Sequence, residues 1–503
     1  KGYLTSIAFQ ETPLRDQSCT PVPADAAAAV IAEAEETVRA AVVREEKRLR
    51  RAARGTRARR RRQAGRERKE EQRRDRRRSE EERLRVAAEK TREALLAQVS
   101  ALREASGGSI LDCFAILADP RGRRGRRHSL PCVLALTVTA MLHGKTRLAD
   151  ITAWIGHAGQ DTLAALGART GPDGKRAAPC GRTVTRILAL VSPRALSRAV
   201  AAWLAAAEQS GPVTFPLAAP VLLPHVACDG KEARGAVRPD GSCLFLLSAA
   251  TAGTGRPVVL ADREIEAKTN EIPEIGPMLL ELNDGFPLSG CVISADALHT
   301  QRALAALITG RLQAHYLFTV KGNQPGLHAA LNALSWAGAR RCVTSDEGHG
   351  RRERRGHLVM DAPEEITSLF PCVRQVAKVV RTRTVTTWKN NGKKRTRVTK
   401  TSTETVYLVT SLSAREAAPE HIAAYARQHW SIENQVHLVR DVTLREDASK
   451  VHAANRARNL ATLRNTEMGL IRQHGRTGIA ATIREAEYDN HLIHALLRLE
   501  PAL

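Results

Sequence analysis

Two aspartates and a later group of acids are the residues of this chain whose types and spacing could support metal-assisted chemistry. Asp229 follows the apolar run His-Val-Ala-Cys, and Asp296 follows Val-Ile-Ser-Ala, so we expect each carboxylate at the end of a strand. Carboxylates on neighbouring strands are hard oxygen ligands of the kind that Mg²⁺ prefers. A third acid on a returning helix would complete a two-metal site for phosphodiester displacement. Taken alone, an aspartate at a strand end is more often a turn or capping residue.

The third acid has to be chosen among four candidates that lie within fifteen residues of one another: Glu433, Asp441, Glu446 and Asp447. We choose Glu433 because Ile432, Val436 and Val439 repeat beside it at helical spacing and predict an inward-facing helix surface. We expect Asp441 to end that helix or to pair with Arg440. We interpret Glu446 and Asp447 as a solvated turn.

The elements that must position these acids follow from the apolar patterns. Three strands with turns between them are expected at 221–235, 243–251 and 256–266. Helices and strands then alternate, with a helix at 273–283, a strand at 291–300, a second helix, a strand at 315–323 and a helix at 327–334. Three consecutive hairpin strands followed by alternation is the order of the ribonuclease-H-like fold.

The flanking segments have different patterns. Residues 106–210 predict an all-α unit, and residues 340–412 predict a basic, β-rich insertion in which Asn390-Asn391-Gly392 forms a hairpin turn. We therefore expect an α/β fold: a ribonuclease-H-like mixed sheet with a β-rich insertion, preceded by an all-α N-terminal unit and a basic helical or disordered arm. The expected boundaries are 1–105 for the arm, 106–210 for the helical unit, 211–475 for the catalytic domain and 476–503 for a helical tail.

The charge of the chain indicates a polyanionic partner. The formal net charge is +25, and nucleic acid is the partner that best explains it, because Lys and Arg release counterions when they neutralise phosphates. An anionic membrane surface is the rival, but no run of eighteen uncharged apolar residues supports a membrane span. Nine cysteines without a C-x-x-C pair predict neither a zinc ribbon nor a redox motif, and fit a reducing compartment.

The arm contributes only part of this charge. Residues 1–105 contain 27 Lys and Arg against 18 Asp and Glu, a net charge of +9, so +16 remains on residues 106–503. Apolar residues in the arm are too sparse to specify a core. A DNA-grasping arm and a solvated appendage without a required role both fit this pattern.

Six segments closely resemble the ISAs family of insertion-sequence DDE transposases, which includes the H-repeat-associated proteins: HVACDGKEARG, KTNEIP, ADALHTQ, LFTVKGNQP, GHGRRERR and QHWSIENQVHLVRDVTLREDAS. The resemblance extends from about Leu111 to Arg472, in the right order, and leaves out residues 1–105. The basic turn DPRGRRGRRH also resembles the entry motif of that family.

The resemblance implies a catalytic triad of Asp229, Asp296 and Glu433 that binds two Mg²⁺ ions, with Mn²⁺ as an expected substitute. Where the wider DDE group often has an Arg before the Trp and a Lys seven residues after the Glu, this chain has His429 and Arg440. Where the family commonly has a Trp, this chain has Leu438, which removes a packing or stacking contact and leaves the metal site intact.

Eleven residues are expected to contact DNA: Arg121, Arg123, Arg124, Arg126, Arg127, Lys231, Lys321, Asn323, Gln324, His429 and Arg440. For Lys321 to Gln324 a plain turn is the alternative. His299 is either a proton carrier or, more simply, a hydrogen-bonded residue at a helix start. Glu271 is expected to cap a helix, and Gly348–Arg355 either grips DNA or forms a solvated basic loop.

The function predicted is that of a Mg²⁺-dependent DDE transposase, an endonuclease and strand transferase of an insertion sequence. It would bind element ends, hydrolyse phosphodiester bonds and transfer the 3′-hydroxyl strand to target DNA. Double-stranded DNA is the expected partner, with a homo-oligomer assembling on it, no membrane, and a cytoplasmic, nucleoid-associated location. The alternative is a domesticated or decayed transposase that only binds DNA.

Overall fold

The computed structural model describes residues 108–210, 223–238, 240–253, 256–265, 271–348, 350–391, 394–451 and 454–499, with two isolated positions nearer the N-terminus. The arm expected at 1–105 and the start of the KTNEIP segment therefore lie outside the described residues.

Between residue 108 and the first strand, the described residues form six α-helices: α1 (Ile110–Ala115), α2 (Leu130–Leu142), α3 (Leu148–Gly156), α4 (Gln160–Ala165), α5 (Gly181–Leu190) and α6 (Pro193–Ser210). The α2 helix begins after Ser129, whose hydroxyl accepts a hydrogen bond from the Cys132 amide and satisfies a free donor of the first turn. Eleven of its thirteen residues are apolar, and all but one of the thirteen are buried, so α2 forms the centre of the helical unit.

Nine strands form one mixed sheet: β1 (His225–Val237), β2 (Cys243–Ala252), β3 (Val259–Ile265), β4 (Val292–Ala295), β5 (His315–Val320), β6 (Arg340–Gly348), β7 (Arg351–Asp361), β8 (Gln375–Asn391) and β9 (Lys394–Thr410). Their order across the sheet is β3-β2-β1-β4-β5-β9-β8-β7-β6. β1 to β3 pair antiparallel as expected, whereas β4 lies parallel to both β1 and β5.

Helices connect the parallel strands, as parallel pairing requires. The connecting and following helices are α7 (Glu271–Gly285), α8 (Arg302–Ala306), α9 (Pro325–Ala333) and α10 (Glu364–Thr367). Strands β6 to β9 occupy the region expected to be a β-rich insertion, and they extend the same sheet because β9 pairs antiparallel with β5.

The C-terminal part of the chain is helical: α11 (Pro419–His429), α12 (Ala454–Gln473), α13 (Ile479–Ala486) and α14 (Asn490–Leu496). Between α11 and α12 the helix widens into two π-helical segments, Ile432–His437 and Val439–Thr443. α12 packs against α2, α5 and α6, so the N-terminal helices and the end of the chain share one hydrophobic core. The Ile110 amide donates a hydrogen bond to the Leu497 carbonyl at 3.1 Å.

Within the described ranges, no single helix has the length and apolar character of a membrane span. The α5 helix and the first part of α6 meet those criteria together, by length and composition only, but they are bent by 90° relative to each other.

Candidate active site

The parallel register of β1 and β4 brings Asp229 and Asp296 to the same edge of the sheet. Cys228 lies opposite Ala295, and the next residue in each strand is the aspartate. Neighbouring strands lie about 4.8 Å apart. Asp296 follows β4 directly, and its carboxylate accepts a hydrogen bond from the Leu298 amide at 3.0 Å.

Asp229 does not end its strand, contrary to the expectation from its flanking residues. β1 continues to Val237 because its other edge pairs with β2 well beyond this point. What ends at Asp229 is the parallel pairing with β4, and that is why the two aspartates meet at one position of the sheet edge.

Glu433 lies in the first π-helical segment, which contacts β1, while α11 before it packs on β1 and β4. Ile432 and Val436 are fully buried, so the helix surface predicted from their spacing does face inward. The pKa of Glu433 is raised by burial and then by the negative charges of Asp229 and Asp296. The three carboxylates therefore share one electrostatic neighbourhood.

His437 is a site residue that sequence reasoning missed. Its Nδ1 lies 3.3 Å from Oδ2 of Asp229. Burial alone would raise the pKa of Asp229, but the hydrogen bond and charge of His437, together with the charge of His429, outweigh burial and lower it. The available signal was its spacing, four residues after Glu433, which places both side chains on one side of a helical turn.

His429 lies behind the carboxylates. Its Nδ1 is 2.9 Å from the Ser294 hydroxyl, which is also 2.7 Å from Nε2 of His225. Burial lowers the pKa of His429, and the carboxylates of Asp229 and Asp296 oppose that shift. The phosphate contact expected for His429 remains a prediction.

Glu271 packs against the backbone that follows Asp229. A Cβ atom at Gly230 would meet the Glu271 carboxylate at 2.3 Å, so glycine in the CDGK segment makes this approach possible. The same carboxylate lies 3.0 Å from Nε2 of His299, which is fully buried. Of the two alternatives for His299, the structure therefore shows the hydrogen-bonded residue.

Lys231 and Arg440, both expected at DNA, lie inside the protein. Lys231 is only 5% exposed, and its Nζ is 2.5 Å from the Asp441 carboxylate. Arg440 has no exposed surface and pairs with Glu446 at 2.7 Å.

Two interpretations of the acids after Glu433 were therefore wrong. Asp441 neither ends the helix, which continues to Thr443, nor pairs with Arg440, because its partner is Lys231. Glu446 is a buried partner of two arginines rather than part of a solvated turn. The reason is tertiary: the Glu446–Ala448 turn packs against β1.

Residues that follow β5 lie at the same sheet edge as the carboxylates. Lys321 and Asn323 are exposed there. Asn323 donates to the Ala297 carbonyl, and Gln324 donates to the Thr300 carbonyl at 2.8 Å. These amides hold the loop after β5 against the segment that follows Asp296.

The arginines of the basic turn before α2 differ in exposure and in hydrogen bonding. Arg121 is buried and bonds to Asp119 at 2.7 Å and to the His128 carbonyl at 2.8 Å. Arg126 is exposed, but it bonds back to carbonyl groups of the same turn. The other three arginines of the turn are exposed: Arg123, Arg124 and Arg127.

The three carboxylates fit a hard divalent cation by their chemistry. All their donor atoms are oxygen, and the mutual repulsion that raises the pKa of Glu433 is one that a cation would relieve. As the side chains are placed, no group of three His, Cys, Asp or Glu residues in the described part of the chain forms a ready metal-binding cluster.

Comparison with known families gives two matches along the chain. Residues 231–466 match the family described as "Transposase DDE domain", and residues 111–204 match the family described as "DDE_Tnp_1-associated". Asp296 and Glu433 lie inside the first match, and Asp229 lies two residues before it.

Similar proteins cover most of the same region. "Putative transposase YncI" of Escherichia coli O157:H7 is 27% identical over 72% of this chain and 87% of that protein. "H repeat-associated putative transposase YhhI" of Escherichia coli strain K12 is 25% identical over 77% of this chain and 97% of that protein. An "Uncharacterized protein in dhlA 3'region" of Xanthobacter autotrophicus is 30% identical over 50% of this chain and 81% of that protein.

Among solved structures, a piggyBac transposase synaptic complex with hairpin DNA aligns over 80% of both chains, with 12% identity and a TM-score of 0.34. That similarity is too low to support an argument. The family matches and the similar proteins, in contrast, agree with the motifs of the sequence, and the chain belongs to the insertion-sequence DDE transposase family.

Proposed function

We propose that this chain cleaves DNA at the ends of an insertion sequence and joins the freed 3′-hydroxyl to target DNA, using Asp229, Asp296 and Glu433. The observation that carries the proposal is the convergence of these three carboxylates. The register of β1 and β4 aligns the aspartates, and the pKa of Glu433 responds to both of them.

The proposed core is ribonuclease-H-like. In its support, an antiparallel meander of β3, β2 and β1 continues into the parallel strands β4 and β5. We propose residues 211–475 as the catalytic domain, with residues 340–412 inserted before the last acid. Residues 106–210 would then be the helical DNA-binding unit and residues 476–503 a C-terminal tail.

Two Mg²⁺ ions, or Mn²⁺ in their place, would be held by the three carboxylates. When bound, they supply charge stabilisation to the attacking and leaving oxygens of the phosphodiester. The chain itself supplies position: His437 orients Asp229, and the Leu298 amide orients Asp296. Holding reactants in the productive geometry accounts for a large part of such catalysis, and no covalent intermediate with the protein is required.

The DNA partner is proposed to contact exposed cations of the chain. Lys321 and the three outward arginines of the basic turn are the best placed of the expected contacts, because their side chains are exposed. Lys231, Arg440 and Arg121 are assigned to the protein interior, because each is buried and ion-paired. A homo-oligomer on nucleoid DNA remains part of the proposal.

A protein that binds DNA without cutting it is the second candidate. The presence of acids at all three positions argues against decay of the nuclease.

The deciding experiment is cleavage of a labelled duplex that carries the DNA flanking this gene. We expect Mg²⁺-dependent cleavage by the full chain, and loss of at least a hundredfold for Glu433→Gln, Asp229→Asn and Asp296→Asn with DNA binding preserved. Glu420→Gln, on the exposed side of α11, is the matched control. Full cleavage by Glu433→Gln with loss in Asp441→Asn would refute the choice of third acid, and absence of cleavage by the wild type would favour the second candidate.

A further inference from the structure

The β8–β9 hairpin extends beyond the sheet that supports it. The last pair between β7 and β8 is Arg351 with Val385, whereas β8 and β9 continue to pair with each other from Thr386–Thr399 to Asn391–Lys394. No other described strand pairs with this stretch. At about 3.3 Å per residue, this two-stranded ribbon (strand residues 386–391 and 394–399) projects by about 20 Å.

The composition of the ribbon indicates an anionic partner. Residues 386–399 contain no Asp or Glu and five Lys and Arg: Lys389, Lys393, Lys394, Arg395 and Arg397. Trp388 and Val398 are its only large apolar residues. An arm that clasps a second copy of the chain would need more apolar surface than this, because the centres of protein interfaces are depleted in charge.

The register shows which face of the hairpin is shared with the candidate active site. The guanidinium of Arg381 lies 6.0 Å from the Trp430 ring, and Trp430 precedes Glu433 by three residues. Alternate residues of a strand lie on the same face, so the odd-numbered positions of β8 share the face on which α11 packs. By backbone register, this face carries cations at Arg381, Arg383, Lys400, Lys389 and Lys394. Its acid, Glu404, lies opposite Arg381 and pairs with it at 3.6 Å.

The opposite face differs. It carries pairs of threonines, of which Thr384–Thr401 and Thr386–Thr399 place their hydroxyls 3.1 and 3.3 Å apart. From Thr382 outward, cations occur there only at the end, at Arg395 and Arg397. Between Arg381 and the end of the hairpin, positive charge thus recurs along the whole length only on the face where α11 packs.

We propose that the ribbon binds duplex DNA about one helical turn away from the scissile phosphate, along the face that carries α11. The distance from Arg381 to Asn391 is ten residues, or about 33 Å, and one turn of B-DNA is about 34 Å. A two-stranded ribbon has dimensions that the major groove admits. This inference rests on the proposed function, since it assumes that DNA reaches the carboxylates.

The test compares two charge-matched variants of the full chain. Lys389→Gln/Lys394→Gln removes two cations from the catalytic face, and Arg395→Gln/Arg397→Gln removes two from the opposite face. Affinity for a 40-base-pair end duplex is measured against KCl concentration in EDTA, so that no cleavage interferes. We expect the first variant to lower the slope of log K against log salt by about 1.8 and to weaken binding at least tenfold at 0.1 M salt, with much smaller changes in the second.

A hydroxyl-radical footprint gives a second readout. The Lys389→Gln/Lys394→Gln protein should lose protection about ten base pairs from the cleavage site. An unchanged slope, equal losses in both variants, or a change in self-association in place of the slope would each overturn the proposal. Because binding is read without metal, these outcomes are independent of whether the wild type cleaves DNA, which tests the proposed function separately.

Discussion

Buried ion pairs surround the acids that follow Glu433. Arg440 donates to Glu446 at 2.7 Å, and Arg464 approaches the same oxygen at 3.4 Å. Charges removed from water are tolerated only when they are paired, and the loss of one partner leaves the other uncompensated, at a cost of about 3–5 kcal/mol. These buried side chains hold the segment that follows Glu433 against β1 rather than contact DNA.

Arg440→Gln is therefore expected to reduce the free energy of unfolding by about 3 kcal/mol, because Glu446 loses its nearest partner. Urea denaturation measures this change. DNA affinity per folded molecule should stay unchanged. Lys321→Gln, at an exposed position, should behave in the opposite way, with normal stability and weaker DNA binding. A stable Arg440→Gln protein with reduced DNA affinity would restore the phosphate contact expected from the sequence.

Glu467 of α12 provides a pH test. It is buried, one of its oxygens has no hydrogen-bond partner among the described residues, and burial raises its pKa to about 8 against the opposing charge of Arg464. The folded state therefore holds a proton that the unfolded state releases above about pH 4.5. The contribution of Glu467 to the free energy of unfolding is therefore fully present below about pH 4.5, and it declines as the pH rises towards 8.

Glu467→Gln should remove this decline. As the pH rises from 5 to 8, we expect the free energy of unfolding to change in favour of the variant relative to the wild type. Urea denaturation at both pH values measures this difference. Glu446, whose pKa its neighbours lower to about 2 although burial opposes them, affects stability only below about pH 4.5 and does not interfere. Parallel pH profiles for the two proteins would contradict the assignment.

At the scale of elements, the basic turn before α2 is the best candidate for contact with element ends. Its outward arginines are exposed, while Arg121 folds the turn around Asp119. The triple variant Arg123→Gln/Arg124→Gln/Arg127→Gln should lower the salt slope of DNA binding by up to about 2.7 and weaken protection of element ends in a footprint.

The full chain is required for that footprint, because the N-terminal helices share their core with α12. Arg484→Gln, which removes an exposed cation of α13, serves as the control. Unchanged protection in the triple variant, together with loss on mutation of β6 to β9, would move end recognition to the inserted strands.

The order of elements followed from the sequence, because apolar periodicity and turn residues are local signals. The meander of β1 to β3 and the alternation that follows correspond to described strands and helices. The two strands of the predicted hairpin are β8 and β9, which pair as far as Asn391 and Lys394, while Gly392 lies outside the described residues. Long-range pairing was not accessible in the same way. Nothing near Lys231 in the chain predicts its pairing with Asp441, 210 residues away, and the burial of Glu446 depends on arginines brought in by tertiary contacts.

At the scale of the whole molecule, the basic arm at 1–105 and the remaining chain carry +9 and +16 of the net charge. Removal of the arm should preserve cleavage, because the carboxylates and the core that supports them lie in residues 108–499. It should weaken non-specific DNA binding and flatten its salt dependence, as measured by titration against a random duplex. Failure of residues 106–503 to fold would show that the arm is an integral element.

The shared core of the N-terminal and C-terminal helices has a consequence for synthesis. The Asn459 side-chain amide donates hydrogen bonds to the carbonyls of Leu188 and Val191, 271 and 268 residues earlier. The Ile110 amide donates to the carbonyl of Leu497, which is synthesised much later. On the ribosome, α1 to α6 thus emerge long before their partners, and contacts of such separation form slowly. A nascent chain that already contains all three acids still lacks the helices that complete its core. The proposed nuclease is therefore expected to become competent only after residues 454–499 have been synthesised.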